Sequence, residues 1–574
     1  MIAYTALAWA TVTESAVMSI SANASVRPSL LSSARTSTSR SMTGRWKDVL
    51  SCTVVIGTNP SFAPETANTT AVSAAAISAC PDNAPPSLAS RSDHGSRSTA
   101  VPSPTSSMTS PRSWTQGAKL ARRISSGFTV TPDMMHAEGM PEEIFLPATY
   151  MAGVPYETFR RLRAESPVTW VPEPAVGPWP AGPGYWAVFR HADVKHVLRS
   201  PELFSSNLGA TQIRDPDTPE DLAFVRAMML NQDPPDHSRL RRIVAAAFTP
   251  RAVRALEDTI NARARTLIAS ALGEETDFVE LVADLPVWTL AHIMGVPDSD
   301  RRLLYDWSSR VIGYQDDEYA GLSTADAASM SPMARKAMLY RPTASTHPDG
   351  RPVNPRSYTA LADMFAYAHG LAAAKREHPS DDIMSRMLEG GLTTQEFENM
   401  FFLFAVAGNE TLRNGIPGGL HTLLDHPSEL ARLRADPSLL PSAVEEMLRY
   451  WPPVMDFRRT ATAPVTLGGH EIDTGEKVVV YHASANRDET VFPDPDRFDI
   501  TRTPNDHVSF GFGPHFCLGA HLARTQMRAV FRELLPLDVT PTGTPVRLAS
   551  NFQNGLKHLP VRLTPTPAGR IASP

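Results

Sequence analysis

Cysteine is scarce in this sequence, which has three in 574 residues: Cys52, Cys80 and Cys517. So few thiols exclude a disulfide framework and fit a reducing compartment, so a cytoplasmic location is predicted. The sequence has no apolar run of about 18 residues, so no membrane span is expected. The formal net charge of −6 gives no indication of nucleic-acid binding.

Apolar periodicity is missing from the first quarter of the chain. Residues 1–133 are rich in Ser, Thr, Pro and Ala, and such segments cannot bury enough apolar surface to offset chain entropy. We predict a disordered extension. Two explanations remain open: a transit peptide, or, more favoured, an incorrectly assigned start ahead of a protein that begins near Met134, Met135 or Met140.

Amphipathic helical patterns dominate after Met140, with short strand-like pieces at 185–189 and 477–481. The pattern predicts a mainly α fold with a minor strand component. Residues 134–574 are expected to form one catalytic domain. Because residues 331–357 are rich in proline and glycine, we predict an inserted loop there, between helices over 301–312 and 358–377.

The most informative segment is Phe510-Gly-Phe-Gly-Pro-His-Phe-Cys-Leu-Gly519. Its glycines and proline predict a tight turn, and the following residues predict a helix whose N-terminus would stabilise a Cys517 thiolate. A free cysteine is more often a buried structural residue. That interpretation weakens here because Gly511, His515 and Gly519 lie at fixed offsets around it.

This segment resembles the haem-binding signature of the cytochrome P450 family, Phe-Gly-x-Gly-x-His-x-Cys-x-Gly, and matches every fixed position. The resemblance extends from about Met140 to Leu563. It implies a single helical prism around haem b with small β-sheets. Cys517 is the implied axial iron ligand, and Phe510, Gly511 and Gly519 are implied cofactor contacts.

The pair Glu446 and Arg449 lies three residues apart on a predicted helix and could be a surface ion pair of little consequence. The resemblance implies instead a buried pair that locks to a later arginine, for which Arg497 is the matching residue. All three are expected to brace the cysteine loop.

An acid and an alcohol, Glu410 and Thr411, lie within an apolar helical stretch, where burying them is costly without a reason. They could instead be a snorkelling acid and a threonine bonded to the previous turn. The resemblance implies that Thr411 steadies dioxygen, that Glu410 relays protons, and that Gly408 leaves room for O2.

Haem propionates need cationic partners. His237 and Arg241 are one turn apart on a predicted helix, although neighbouring arginines also permit a solvated basic face. By resemblance, Arg459 and His515 complete the set. The adjacent Arg458 leaves the choice of arginine open, and His507 is a weaker candidate.

The resemblance implies an apolar substrate pocket, although each residue could equally be ordinary core. The residues are Phe402, Ala405, Val406, Val454, Met455, Asp456 and Phe552, with Asp456 as a polar anchor. Sterols, terpenoids or fatty chains are favoured substrates, with aromatic or secondary-metabolite intermediates as the alternative.

Since no flavin or iron–sulfur motif follows the domain, the resemblance to soluble bacterial members implies electrons from NAD(P)H through a ferredoxin and its reductase. A monomer is expected. Two further interpretations are a peroxygenase and a catalytically silent haem-binding module. A peroxygenase would be expected to lack the pair Glu410 and Thr411. A silent module would be expected to lack either that pair or Cys517. This chain keeps all three residues.

Overall fold

The computed structural model describes residues 141–177, 179–316, 318, 329–343 and 353–566. The predicted extension at 1–133 lies outside these residues. Within the described part, no helix is both long and apolar enough to cross a membrane.

Helices make up most of the described chain, and most begin at a Ser, Thr, Asp or Pro signal. The α-helices are α1 (Thr149–Ala152), α2 (Tyr156–Glu165), α3 (His191–Arg199), α4 (Pro219–Arg226), α5 (Asp236–Val244), α6 (Pro250–Ser270), α7 (Phe278–Met294), α8 (Arg301–Ile312), α9 (Pro332–Met338), α10 (Ala362–Glu377), α11 (Ile383–Glu389), α12 (Thr394–Ala407), α13 (Glu410–Asp425), α14 (Pro427–Ala435), α15 (Leu440–Tyr450), α16 (His482–Ala485) and α17 (Ala520–Leu534).

The strands are short and form small sheets. They are β1 (Val168–Val171), β2 (Tyr185–Val188), β3 (Phe204–Ser205), β4 (Glu275–Asp277), β5 (Asp456–Ala461), β6 (Val465–Leu467), β7 (His470–Ile472), β8 (Lys477–Tyr481), β9 (Leu537–Pro541), β10 (Val546–Arg547), β11 (Leu556–His558) and β12 (Pro560–Pro565). The largest sheet has the order β1-β2-β8-β5-β3, in which β2 and β8 are parallel and the other neighbours antiparallel.

One large apolar core lies among the helices, where α17 packs against α6, α7 against α13, and α8 and α10 against α12. Two smaller apolar clusters lie on the two faces of the five-stranded sheet. A mainly α fold with small sheets was predicted, and the structure confirms it. The sheet and the helical body together position the segment that carries Cys517.

The predicted loop at 331–357 is partly wrong, because α9 occupies Pro332–Met338. The Ser331 hydroxyl accepts the Ala334 N–H at 3.1 Å and Pro332 starts the first turn, which is a strong helix-start signal. Ala334 and Ala337 are buried against α10. The later prolines dominated the sequence pattern and hid this short helix.

Candidate active site

The Cys517 segment is a tight turn that leads into α17. The Cys517 N–H donates to the Phe510 carbonyl at 2.8 Å, which closes the turn. Gly511 and Gly513 have φ of 70° and 72°, a left-handed conformation that favours glycine. A Cβ on Gly513 would lie 2.7 Å from the Leu198 carbonyl, so the turn is pressed against the end of α3.

The thiol of Cys517 is exposed, yet protein surrounds it closely enough that burial raises its pKa. The Gly519 N–H, Arg241 and Arg524 oppose this shift and favour the thiolate. Its exposed surface leaves the sulfur within reach of a ligand.

Glu446 and Arg449 form a fully buried bidentate pair, with Arg449 Nε and Nη2 each 2.8 Å from a Glu446 oxygen. Arg449 Nη1 donates to the Asn486 and Pro495 carbonyls, each at 2.8 Å. These bonds tie α15 to the segments that precede the cysteine turn. The pair therefore sits inside the molecule, unlike a surface ion pair.

The prediction that Arg497 completes this pair is wrong. Its side chain is 63% exposed and lies 3.8 Å from Asp499, while only its carbonyl meets Arg449, at 3.2 Å. Arg502 takes the place instead, with Nε 3.2 Å from Glu446 Oε1 and its side chain 9% exposed. The turn after Asp494, where φ is 45°, presents the backbone of Arg497 inward rather than its side chain.

A second charged contact holds α17 to α15. Arg524 donates to both oxygens of Glu445, at 2.6 and 2.7 Å, and His507 Nε2 lies 3.2 Å from Glu445 Oε2. Burial alone would raise the pKa of Glu445, but hydrogen bonds from Arg524 and His507 lower it to about 2. His507 is thus engaged with Glu445, and the hypothesis that it binds a propionate loses support.

Four groups that can carry positive charge converge near Cys517. The rings of His237 and His515 are 4.1 Å apart, and Arg241 Nη2 donates to the Phe516 carbonyl at 2.6 Å. Burial, with Arg459, His237 and Arg241 nearby, lowers the pKa of His515 to about 2. Burial and Arg241 likewise lower the pKa of His237 to about 4.

Few acidic groups lie close enough to balance the positive charge of this cluster. Burial lowers the pKa of Arg459 to about 10, and the acid that opposes the shift is Asp233. Asp233 itself accepts bonds from the Ser205 hydroxyl and the Ser206 N–H. Nδ1 of His237 is buried without a partner. A buried site of this kind is suited to an anion.

The structure separates Arg459 from Arg458, which alternate across β5. Arg458 Nη1 lies 2.5 Å from Asp215 and 3.2 Å from the Ile213 carbonyl, on the side where Lys477 also meets Asp215. Arg458 is therefore engaged in an ion pair with Asp215. Arg459 is the arginine that faces the histidines.

The long apolar helix breaks between α12 and α13, at Gly408 and Asn409. Ala407, at the end of α12, is exposed although its neighbours are mostly buried. The Thr411 hydroxyl donates to the Ala407 carbonyl at 3.1 Å. A Cβ on Gly408 would lie 3.1 Å from Leu290, which leaves little room on that side.

Glu410 is fully buried and turns toward α8. Its Oε1 accepts from Ser308 at 3.1 Å and Ser309 at 3.4 Å, and lies 3.6 Å from Arg413 Nη1. Arg413 Nη2 also meets Glu280 at 3.0 Å, and the Glu280 side chain is 57% exposed. A chain of polar groups therefore runs from Glu410 to the surface.

The predicted pocket residues fall into two groups. Phe402, Ala405 and Val406 are buried on α12, where Phe402 packs against Phe224. The second group, Val454, Met455, Asp456 and Phe552, comes together at the start of β5. The Met455 N–H donates to the Phe552 carbonyl at 2.9 Å, and Val454 pairs with Gln553.

A small cavity of about 10 Å³ adjoins the second group and is lined in part by residues that sequence reasoning missed. They come from segments far apart in the chain: Phe145, Gln212, Ile213, Arg214, Tyr314, Gln315 and Asn551. No local pattern marks these residues, because only folding brings the segments together.

A helical body that presents a glycine-framed cysteine turn beside a cluster of arginines and histidines is the arrangement expected of a haem-thiolate protein. The cytochrome P450 profile matches residues 184–537. The chain is 34% identical over 428 residues to a steroid C26-monooxygenase of Rhodococcus jostii, covering 72% of this chain and 83% of that protein. It is 37% identical to a methyl-branched lipid omega-hydroxylase of Mycobacterium bovis, covering 70% and 90%.

Comparison with solved structures leads to the same family. A Mycobacterium marinum cytochrome P450 in complex with pseudoionone has a TM-score of 0.60 and 37% identity, covering 71% of this chain and 94% of that one. A Bacillus megaterium enzyme in complex with testosterone has a TM-score of 0.59 and 32% identity, covering 74% and 99%. This chain belongs to the cytochrome P450 family and is a P450 monooxygenase.

Proposed function

We propose that this enzyme binds haem b and inserts one oxygen atom from O2 into a sterol, terpenoid or fatty-chain substrate. The observation that carries the proposal is the joint placement of an accessible Cys517 and a cluster of two arginines and two histidines. A thiolate and groups that bind carboxylates are the contacts that an iron porphyrin with two propionates needs from a protein.

The residues fit the cofactor. Cys517 would be the axial ligand, while Arg241, Arg459, His237 and His515 would hold the propionates, and Phe510, Gly511 and Gly519 would frame the ring. The orphaned Nδ1 of His237 gives a donor for this role. When bound, thiolate-ligated haem supplies O–O cleavage and oxygen transfer.

Thr411 and Glu410 would handle protons. The Thr411 hydroxyl lies at the helix break, beside the exposed Ala407, and dioxygen would bind on this side of Gly408 rather than on the side that Leu290 fills. Glu410 would relay protons to this point. Arg413, which stays protonated, would hold Glu410 and Glu280 in one polar chain that reaches the surface. Ser308 and Ser309 would keep the Glu410 carboxylate oriented.

The substrate class rests on the relatives and on the walls of the pocket. Relatives named for steroid and methyl-branched lipid oxidation support a bulky or branched hydrocarbon. The residues proposed to contact it, Phe402, Ala405, Val406, Val454, Met455 and Phe552, are apolar, which suits such a ligand.

Electrons would come from NAD(P)H through a ferredoxin reductase and a ferredoxin. The family implies a redox partner, which supports this route. We propose a cytoplasmic monomer.

The test is the reduced, CO-bound difference spectrum of the purified haem protein. We expect the long-wavelength Soret band of thiolate ligation in the wild type and in Cys52→Ala and Cys80→Ala controls. Cys517→Ala should lose it, because the ligand is gone. A Cys517→Ala protein that kept the band would refute the assignment of the iron ligand.

A further inference from the structure

An open groove lies where the start of α2, the end of α13 and the end of α15 approach β10. It holds about 430 Å³, a volume typical of small-molecule sites. Its apolar surface comes from Val154, Tyr156, Tyr450 and Trp451. None of the described residues that line it belongs to the Cys517 turn or to the arginines and histidines beside that turn. The groove is therefore a second concave site, separate from the haem site.

Arg547 is a partly buried cation in this groove. Its Nε donates to the Tyr150 carbonyl at 3.0 Å, and its Nη2 donates to Asn554 Oδ1 at 2.6 Å. Its guanidinium lies 4.6 Å from the centre of the Trp451 ring. Burial lowers its pKa, and no acid of the described chain opposes that shift. A guanidinium that is withdrawn from water without a carboxylate partner favours an anionic ligand.

Asn554 adds a second donor beside this guanidinium. Its side chain is only 2% exposed, and its Nδ2 is buried without a partner while Oδ1 accepts from Arg547. The backbone holds the residue in place, because its carbonyl accepts the Trp451 indole N–H at 2.9 Å and its N–H donates to Pro453 at 3.0 Å. Leaving a buried amide donor unsatisfied is costly, so this N–H indicates a ligand oxygen.

The other charges of the groove do not need a ligand. Arg160 and Arg487 both donate to Asp496, at 2.5 and 2.7 Å. Glu157 and Asp425 stand at the rim, where their side chains are 83% and 60% exposed. Because charges in water gain little from pairing, these two acids place no demand on the charge of a ligand.

We propose that this groove binds a small organic carboxylate with an apolar body, at a site separate from the haem pocket. Arg547 and the Asn554 amide hold the carboxylate oxygens. Val154, Tyr156 and Tyr450 contact the apolar body. A neutral ligand of the same shape forgoes the charge-assisted bond to the guanidinium and binds about tenfold or more weakly.

Isothermal titration calorimetry of the full-length, haem-loaded protein tests this with 2-naphthoate and its neutral isostere 2-naphthamide. Saturating 4-phenylimidazole occupies the haem iron throughout, and the Soret band reports whether either ligand displaces it. Arg547→Gln removes the charge, and Asn554→Asp keeps the side-chain size but places an acid beside the guanidinium. Arg160→Gln is the matched control, because it removes an arginine of the same groove that Asp496 already pairs.

Wild type and Arg160→Gln should bind 2-naphthoate about tenfold or more tightly than 2-naphthamide, with the azole still on the iron. Arg547→Gln and Asn554→Asp should lose that preference. The proposal is overturned by equal binding of the two ligands to wild type, by no binding of 2-naphthoate, or by binding only as the azole leaves. A preference that survives in Arg547→Gln or Asn554→Asp, or that Arg160→Gln loses equally, also overturns it. The wild-type comparison decides even if a variant fails to fold.

Discussion

Arg502, rather than Arg497, stabilises the buried Glu446–Arg449 pair, and paired substitutions test this directly. Arg502→Gln removes a guanidinium that contacts Glu446 at 3.2 Å and donates to the carbonyls of Pro493, Asp494 and Arg497 at 2.8, 3.1 and 2.9 Å. Arg497→Gln changes a side chain that is 63% exposed and meets only Asp499, at 3.8 Å.

The contacts of the two arginines set the expected size of each change in the free energy of unfolding. Loss of one partner of a buried ion pair costs about 3–5 kcal/mol, but Glu446 keeps its bidentate bond to Arg449. We therefore expect Arg502→Gln to lower the free energy of unfolding by about 2–3 kcal/mol, the value of hydrogen bonds to a charged group. Arg497→Gln should change it by less than about 0.5 kcal/mol, as an exposed substitution.

Urea unfolding followed by tryptophan fluorescence measures both differences, and the thiolate Soret band reports whether the cysteine turn keeps its haem. Arg502→Gln should unfold at a lower urea concentration and lose haem earlier in the titration. Equal destabilisation by the two substitutions, or a neutral Arg502→Gln, would refute the assignment of Arg502.

Two further predictions concern charge near the site. Arg459→Gln should speed haem transfer to apomyoglobin by about tenfold or more, since a charge-assisted bond is worth about 1.5–3 kcal/mol, whereas Arg458→Gln should leave the transfer rate unchanged. The lowered pKa of Glu445, about 2, means that its stabilisation is present above the unfolded value of about 4.3 and lost as pH falls toward 2. Urea unfolding at several pH values should therefore show a wild-type advantage over Glu445→Gln that is constant above about pH 5 and shrinks below pH 4; an advantage independent of pH would contradict it.

Local sequence patterns predicted much of the fold. The helix over 301–312 and the strand over 477–481 match the structure residue for residue. The start of α12 is also encoded locally, because Thr393 and Glu396 form a capping box that the sequence displays. Periodicity and caps act within a few residues, so they can be read without the fold.

The sequence by itself determined the local structure around Cys517 and predicted its role, because a turn, a helix start and a possible ligand atom are encoded within ten consecutive residues. It also named the basic residues that the structure brings together near Cys517. Only the tertiary structure showed that Arg502 takes the place predicted for Arg497, and it alone decided between the adjacent Arg459 and Arg458. It alone showed that Asp456 is buried without a partner beside a cavity. These outcomes depend on which distant segments meet a side chain, and no local pattern carries that information.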